Sequence, residues 1–264
     1  MDISIIIVSW QTRDLLEKCL ETVFNSIGNL KFEVIVVDNA SNDNSVEMVK
    51  EKFASELDSG QLKLIASDKN LGFGKANNLG VKSAQGEYIL FLNPDTEIKE
   101  DTLEKSLAFI KTKPDCGILG CKMVYADGSD QASVRRFPSF WPIFLMLIKA
   151  PKIFKKIKAI DHYLAVDFDY SRLQEVDQVM GAFMLMPKEV VEKVKGFDER
   201  YFIWFEEVDL CLTIKKLGYK VIYNPEIVII HHGGKSFAQQ TLVNNQKMFF
   251  TSAFKYFTKN GLRP

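Results

Sequence analysis

The chain has 264 residues, of which 47% are hydrophobic and 26% charged, and its 34 basic and 34 acidic side chains give a formal net charge of zero. This composition is that of an ordinary globular protein and gives no support for nucleic-acid binding. The four cysteines form no CxxC pair, which argues against a zinc or redox motif. No apolar run approaches the roughly 18 residues of a membrane span, and the first residues lack a signal-peptide pattern, so we expect a cytoplasmic protein.

The first half of the chain alternates strand-like and helix-like segments. Ile3–Ser9 is a continuous apolar run, and apolar residues then recur at helical spacing from Leu15. Further strands are predicted at residues 32–37, before DNASND, at 62–65, before the glycine-rich NLGFGKANNLG, and at 88–92. Buried strands that alternate with helices predict a parallel sheet with helices on both faces.

The second half is less regular. It contains a helix over Thr102–Lys111, strands over 117–124, 179–186 and 219–230, and a helix after FEEVDLC, with 135–175 predicted to be irregular. We interpret 1–264 as one domain, with an N-terminal half (1–115), a C-terminal half (116–236) and a helical tail (237–264).

Polar residues fall where the predicted strands end, and in open parallel sheets ligands bind at that edge. They are Ser9, Asp38, Asp95, His231 and His232. Pro94 cannot continue a strand and biases Asn93 to an extended backbone, which would turn Asp95 into the crevice. The alternative is an ordinary turn in which Asp95 caps the next helix.

Three acids, Glu206, Glu207 and Asp209, stand in the first turn of a predicted helix. The helix dipole favours acids there without any function. Aromatic residues surround this group, and such surroundings raise the pKa of a carboxyl toward the range of a general base. Tyr201 and Trp204 would stack on a sugar or, equally, belong to the core.

A family resemblance rests on several segments in order along residues 3–236. They are SIIIVSWQTRDLLEKCL, VIVVDNASNDNS, NLGFGKANN, ILFLNPDTE and GAFMLMPKEVVEKVKGFDERYFIWFEEVDLCLTIKKLGYKVIYNPEIVIIHHGGKS. Together they resemble glycosyltransferase family 2, and most closely its rhamnosyltransferase-like branch. The resemblance implies an α/β protein of GT-A fold, with a mostly parallel nucleotide-binding sheet flanked by helices and a C-terminal acceptor-side half.

The same resemblance implies a nucleotide-sugar pocket and a metal site. The nucleotide-sugar-binding residues would be Ser9, Asp38, Asn70, Gly72, Asn77 and Asn93. Asp95 matches the last acid of the family's DxD motif, with Asn93 in the place of the first acid. Asp95 and His231 would then hold Mg²⁺ or Mn²⁺, and His232 is an alternative to His231.

The resemblance also places the catalytic base. Glu207 stands at the position where the family usually has Asp, and Asp209 remains an alternative base. Trp204 and Glu206 would bind the acceptor. The implied reaction is a single displacement with inversion at the anomeric carbon.

The resembling branch implies a donor and an acceptor as well. The donor would be dTDP-rhamnose, and the acceptor a saccharide linked to polyprenyl diphosphate at the inner face of the plasma membrane. Another nucleotide-sugar, such as a UDP-hexose or UDP-galactofuranose, is an alternative donor. A non-catalytic nucleotide-sugar-binding protein is the alternative function.

Two segments are candidates for a membrane contact. The stretch RRFPSFWPIFLMLIKAPKIFKKIKAI (135–160) joins aromatic and aliphatic residues to a lysine cluster, which suits an anionic membrane surface. Its alternative is a core helix with a solvated basic end. MFFTSAFKYF (248–257) is the second candidate, or equally a packing helix or the interface of a homodimer.

Overall fold

The structure is a computed structural model and describes residues 1–26, 28–148, 156–233 and 242–262, with 242–245 by their backbone only. The strands are β1 (Ile3–Ser9), β2 (Phe32–Asp38), β3 (Leu62–Ala66), β4 (Tyr88–Leu92), β5 (Thr96–Ile98), β6 (Cys116–Val124), β7 (Asp130–Gln131), β8 (Val134–Arg135), β9 (Gln174–Val176), β10 (Gln178–Val179), β11 (Phe183–Pro187) and β12 (Lys220–His231). The helices are α1 (Arg13–Phe24), α2 (Ser45–Lys52), α3 (Ala54–Asp58), α4 (Phe73–Val81), α5 (Thr102–Lys111), α6 (Phe140–Leu147), α7 (Lys158–Tyr163), α8 (Lys188–Val194), α9 (Glu206–Lys216) and α10 (Leu242–Asn260).

One large sheet runs through both halves of the described chain. Its strand order is β3-β2-β1-β4-β11-β6-β12-β5. The pairs β1–β2, β2–β3, β1–β4 and β6–β12 are parallel, whereas β11 runs antiparallel to both β4 and β6. This mostly parallel sheet flanked by helices confirms the predicted α/β fold class.

The apolar runs of the first half form strands because both faces of the sheet are covered. All seven residues of β1 are buried. Ile5 packs in a core cluster with residues of α1 and α5, whereas its neighbour Ile6 packs in a second cluster with residues of α4 and α9. Successive strand residues point to opposite faces, so an unbroken hydrophobic run serves two cores at once.

The prediction of an irregular segment at 135–175 was wrong, because α6 and α7 lie within it. The α6 sequence FWPIFLML is apolar throughout, so it lacks the polar positions that reveal a helical period.

The prediction of a single strand at 179–186 was also wrong, because the structure has two strands there, β10 and β11. The break contains Gly181, whose absent Cβ would stand 3.5 Å from the Cβ of Glu207.

A third cluster joins the helices of the second half. Ile143 of α6, Tyr163 of α7, Val208 of α9 and Tyr256 of α10 pack together with Phe205. The helix that begins with the predicted acids is therefore supported by the last helix. Within the described part of the chain, no helix is both long enough and apolar enough to cross a bilayer.

Candidate active site

A cavity of about 500 Å³ lies beyond the carboxyl ends of β1, β4 and β12 and beside the start of α9. Its volume is in the range of pockets for small ligands and cofactors. The predicted site residues that line it are Asn70, Asn93, Asp95, Trp204, Glu206, Glu207 and His231. Residues separated by more than 130 positions thus meet around one space.

Asn39 organises the wall of the cavity that follows β2. Its amide nitrogen donates to Asn70 Oδ1 at 2.9 Å and to the Gly72 carbonyl at 3.3 Å, and its Oδ1 accepts from the Leu71 backbone N–H at 2.7 Å. Asn70 Oδ1 also accepts from the Gly72 N–H. These bonds hold the 70–72 loop against the end of β2.

Three predicted nucleotide-binding residues stand behind the cavity wall. Ser9 Oγ is 2.9 Å from the hydroxyl of Thr12, and the Asn77 amide donates to the Phe73 carbonyl. Asp38 Oδ2 accepts from a backbone N–H, whereas Asp38 Oδ1 is buried and has no hydrogen-bond partner within the structure. A buried acceptor without a donor favours a ligand group at Asp38.

Asp95 and His231 meet at the far end of the cavity. His231 Nε2 lies 3.3 Å from Asp95 Oδ1, and both side chains are 7% exposed. His231 Nδ1 lies 2.7 Å from Gln131 Oε1, so the proton on this ring belongs on Nδ1. Nε2 then presents a lone pair to the Asp95 carboxylate, and two facing acceptors require a cation or a proton between them.

This pair fits a divalent cation. Nitrogen and oxygen ligands stand about 2.0–2.2 Å from such an ion, so two neighbouring ligands are separated by about 3 Å. The observed 3.3 Å is close to that spacing. No group of three or more His, Cys, Asp and Glu residues that could hold a metal occurs among the described residues. The protein therefore offers a two-ligand set that a bound phosphate oxygen and water would complete.

His232 has a different partner. Its Nε2 lies 2.6 Å from Glu97 Oε1, on β5. The alternation along β12 thus turns His231 to Asp95 and His232 to Glu97. Gly234 and Ser236, which follow the two histidines, lie outside the described residues.

Glu206 and Glu207 also line the cavity. Burial and the neighbouring Glu207 carboxylate raise the pKa of Glu206 well above its usual range, and Glu206 Oε2 has no hydrogen-bond partner within the structure. Burial also raises the pKa of Glu207, although the positive charge of Arg135 opposes the change. A carboxyl with a raised pKa at a cavity wall is suited to accept a proton from a substrate.

Asp209 points to another place. Its carboxylate accepts from Lys259 Nζ at 2.6 Å and from the Asn260 amide at 2.8 Å, both on α10, and from the Tyr201 hydroxyl at 3.3 Å. Asp209 does not line the cavity. Asp209 ties α9 to α10, and its role as the alternative base stays a prediction.

The loop between α8 and α9 forms the wall between the two ends of the cavity. Trp204 and Phe205 have φ values of 64° and 70°, which are unusual for residues with a side chain. The Phe202 carbonyl accepts from the Phe73 N–H at 2.9 Å. A Cβ on Gly72 would lie only 2.3 Å from that carbonyl oxygen, so the loop approaches Gly72 as closely as a glycine permits.

The model of glycosyl transferase family 2 matches residues 4–172. The chain belongs to this family. It is therefore a glycosyltransferase, and the resemblance found in the sequence is confirmed.

Two family 2 relatives are similar over most of the chain. The rhamnosyltransferase WbbL of Escherichia coli is 28% identical, across 98% of this chain and 90% of its own length. The N-acetylglucosaminyl-diphospho-decaprenol L-rhamnosyltransferase of Mycobacterium tuberculosis is 25% identical, across 77% of this chain and 67% of its own length.

A solved structure supports the GT-A fold. The mannosyltransferase PcManGT of Pyrobaculum calidifontis, in complex with GDP-Man and Mn²⁺, superposes with a TM-score of 0.63. It is 18% identical, and the match covers 96% of this chain and 69% of that one. At this identity the likeness concerns the fold alone.

Sequence reasoning missed several residues that line this glycosyltransferase cavity, among them Asn39, Gln131, Arg135 and Gln178. Asn39 belongs to the DNASND stretch, whose polar residues could have pointed to it. Gln131 and Arg135 lie on strands of two residues, which are too short to show an alternating pattern.

Proposed function

We propose that this protein is a metal-dependent, inverting glycosyltransferase that moves L-rhamnose from dTDP-rhamnose to a lipid-linked saccharide in cell-surface polysaccharide synthesis. The observation that carries the proposal is one cavity that is lined by Asp95, His231 and Glu207. The names of the Escherichia coli and Mycobacterium tuberculosis relatives support the choice of sugar, and the latter supports a lipid-diphosphate acceptor.

The nucleotide would lie along the cavity wall at Asn39 and Asn70, which hold Gly72 in the adjoining loop. The rigid 70–72 loop and the unpartnered Asp38 Oδ1 support this assignment. Asn93 Oδ1 is likewise buried without a partner and borders the cavity beside Asp95. We assign it to the donor, because a buried amide oxygen needs a hydrogen-bond donor.

Asp95 and His231 would hold Mg²⁺ or Mn²⁺ together with the diphosphate of the donor. A cation bound there neutralises the negative charge that develops on the leaving diphosphate. Gln131 Oε1 would accept a hydrogen bond from His231 Nδ1–H, which would leave the lone pair of Nε2 for the cation.

Glu207 would act as the base. The acceptor hydroxyl oxygen bonds to the anomeric carbon while the bond from that carbon to the diphosphate oxygen breaks, and the electron pair leaves with the diphosphate. The hydroxyl proton passes to the Glu207 carboxylate. Attack from the face opposite the leaving group inverts the anomeric configuration.

Trp204 and Glu206 would bind the acceptor saccharide. Both border the cavity beside Glu207, and an indole ring offers a flat apolar face for a sugar. Because its pKa is raised, Glu206 stays protonated at pH values at which a carboxyl is ordinarily ionised. It can therefore donate a hydrogen bond to an oxygen of the acceptor saccharide. A lipid-linked acceptor would bring the protein to the inner face of the plasma membrane.

A different nucleotide-sugar is the second candidate donor. The nucleotide of the similar mannosyltransferase structure is GDP-Man, so the same fold accommodates another base and another sugar. A UDP-hexose or UDP-galactofuranose donor would require different residues only where the cavity wall contacts the base and the sugar.

A donor panel tests the proposal. The purified protein is incubated with a mimic of the lipid-linked saccharide acceptor and with one donor: dTDP-rhamnose, UDP-glucose, UDP-galactofuranose or GDP-mannose. Each donor is tested with Mn²⁺ and with EDTA. We expect product with dTDP-rhamnose and Mn²⁺, and its loss in EDTA. Product from another donor only would refute the rhamnosyl assignment, and equal turnover in EDTA would refute metal dependence.

A further inference from the structure

Two packed helices, α6 and α10, carry large apolar side chains that remain exposed. The Phe140 N–H donates to the Leu262 carbonyl, and the rings of Phe140 and Phe257 are 6.1 Å apart. Exposed side chains nevertheless include Trp141 at 60% and Phe254 at 63%. We define the α6–α10 face as Phe140, Trp141, Phe144, Ile148, Phe250 and Phe254, all of which are exposed.

Helical spacing makes this face continuous. On α6, Phe140 and Phe144 are four positions apart and their rings stack at 5.7 Å, and Ile148 follows after four more. On α10, Phe250, Phe254 and Phe257 occur at i, i+4 and i+7, which lie on one side of a helix. Because Phe257 contacts Phe140, the two stripes meet along the helix pair.

The segments that carry the face are basic in the sequence, and two of their basic residues pair with acids within the chain, Arg136 with Asp167 and Lys259 with Asp198 and Asp209. Residues 135–160 and 227–264 together contain 12 of the 34 basic residues and none of the 34 acidic ones. Among the described residues, Lys156 and Lys158 are exposed at the start of α7, which packs on α6, and Lys247 is exposed three positions before Phe250. Lys149, Lys152 and Lys155 lie outside the described residues.

We propose that the α6–α10 face docks on an anionic lipid bilayer. A bilayer offers an apolar interior for the aromatic residues and negative headgroups for the lysines. A second copy of the chain is a poorer match, because the exposed Lys156, Lys158 and Lys247 of one copy would face those of the other. The purpose of the docking rests on the proposed lipid-linked acceptor, whereas the docking itself does not.

The face adjoins the acceptor side of the cavity. Phe249, next to Phe250 on α10, packs on the Trp204 ring at 5.8 Å, and Trp204 lines the cavity. A protein docked through α6 and α10 would therefore hold the Trp204 wall close to the membrane surface, where a lipid-linked saccharide is presented.

Vesicle cosedimentation without any sugar tests the docking separately from the transfer reaction. We expect the full chain to bind vesicles of phosphatidylcholine with phosphatidylglycerol, and to bind pure phosphatidylcholine weakly. Trp141→Ser with Phe254→Ser should reduce binding roughly tenfold or more. The matched control, Leu173→Ser with Leu217→Ser, replaces exposed apolar residues elsewhere and should bind as the wild type does.

The charge contribution has its own pair of variants. Lys247→Gln should weaken binding to the anionic vesicles roughly fivefold, whereas the exposed Lys82→Gln should not. Unchanged binding by the Trp141/Phe254 double variant would overturn the proposal. So would a wild-type dimer in sedimentation velocity that this double variant converts to a monomer, because the face would then be an interface between copies.

A separate observation concerns Gln131, at the metal end of the cavity. Its side chain is buried, and its Oε1 lies 2.7 Å from His231 Nδ1. A Cβ on Gly233 would lie 3.1 Å from Gln131 Nε2, so the glycine leaves room for the amide. We infer that Gln131 is a positioning residue that fixes the Nδ1–H tautomer of His231 and thereby the metal affinity of Nε2.

Imidazole ¹⁵N shifts of the metal-free protein at alkaline pH test this inference. We expect His231 to carry its proton on Nδ1 in the wild type. Gln131→Leu should lose this preference and bind Mn²⁺ roughly 10- to 100-fold more weakly, with metal-free nucleotide binding unchanged, and Gln131→Glu should restore the tautomer. An Nε2–H tautomer in the wild type would overturn the inference without any variant.

Discussion

Glu206 and Glu207 are adjacent carboxylates with different surroundings. Glu206 is 4% exposed and leaves one oxygen without a partner, whereas the charge of Arg135 acts on Glu207. Burial raises the pKa of both carboxyls, and the positive charge of Arg135 opposes the rise at Glu207 only.

Glu207→Gln removes the proposed base and keeps the side-chain shape. We expect kcat to fall roughly 10²- to 10⁴-fold, with the affinity for the nucleotide unchanged. Because the base must be ionised, the wild-type rate should fall as the pH drops through the raised pKa of Glu207. Single-turnover transfer and a nucleotide titration measure the two effects.

Asp209→Asn provides the comparison for Glu207→Gln. It changes a carboxylate of the same helix that bonds to Lys259, so stability should fall while single-turnover transfer is largely kept. If Asp209→Asn lost transfer and Glu207→Gln kept it, the base would have to be reassigned.

Glu206→Gln should alter the pH dependence of stability. A carboxyl whose pKa is raised by folding contributes stability that is complete below its unfolded pKa and is lost as the pH rises through the folded pKa. Glutamine mimics the protonated form at every pH. We expect the Tm of Glu206→Gln to exceed that of the wild type by roughly 2–4 °C at pH 8, which corresponds to about 1 kcal/mol, and the gap to close toward pH 4.

Differential scanning calorimetry at several pH values measures this gap. Glu192→Gln, at an exposed position of α8, is the control and should follow the wild type. If the Tm difference between Glu206→Gln and the wild type stayed constant with pH, the ionisation of Glu206 would make no contribution to stability.

At the scale of elements, two loops from distant parts of the chain share one junction. Gly72 precedes α4 with φ 82° and ψ 172°, a backbone region that is essentially restricted to glycine. The next residue, Phe73, donates its N–H to the Phe202 carbonyl in the loop before α9. The loop before α4 and the loop before α9 are thus joined by this hydrogen bond.

Gly72→Ala should break this junction. Its Cβ would collide with the Phe202 carbonyl, in addition to the backbone strain, so we expect a loss of roughly 3 kcal/mol or more in the free energy of unfolding. Gly60→Ala is the matched control: its φ is 77° with no atom within 4 Å, and it should cost only about 1 kcal/mol. Urea unfolding compares the two, and equal losses would argue against a special contact at Gly72.

At the scale of the whole molecule, binding of donor and metal should stabilise the entire domain, since the cavity joins both halves of the sheet. We expect dTDP with Mn²⁺ to raise the Tm, by an amount equivalent to about 2.7 kcal/mol at a ligand concentration 100 times Kd. EDTA should remove part of this rise, and Asp95→Ala should be insensitive to EDTA. A full Mn²⁺ response in Asp95→Ala would exclude Asp95 as a ligand.

The sequence predicted the parts of this molecule that depend on local pattern. The apolar strands of the first half and the polar residues at their ends follow from burial on two faces and from the strand-breaking Pro94. Helical geometry separates Glu207 from Asp209, because two positions along a helix turn the side chain by about 200°. Only the structure, however, shows that Asp209 accepts hydrogen bonds from Lys259 and Asn260 of α10.

Other features depend on contacts that are distant in sequence. Gln131 reaches His231 across 100 positions, and Arg135 acts on Glu207 from a strand of two residues. Neither residue belongs to a periodic segment, so no local signal could link them to the cavity. The same holds for α6, whose uniformly apolar sequence hides its helical period.

The bonds from Lys259 and Asn260 to Asp209 also bear on biosynthesis. Asp209 lies in the first turn of the helix that carries Glu207, yet its partners are synthesised some fifty residues later. A growing chain on the ribosome would hold this carboxylate without its cation until α10 emerges. The strands of the first half can assemble before then, but the contact that ties α9 to α10 forms only after α10 has been made.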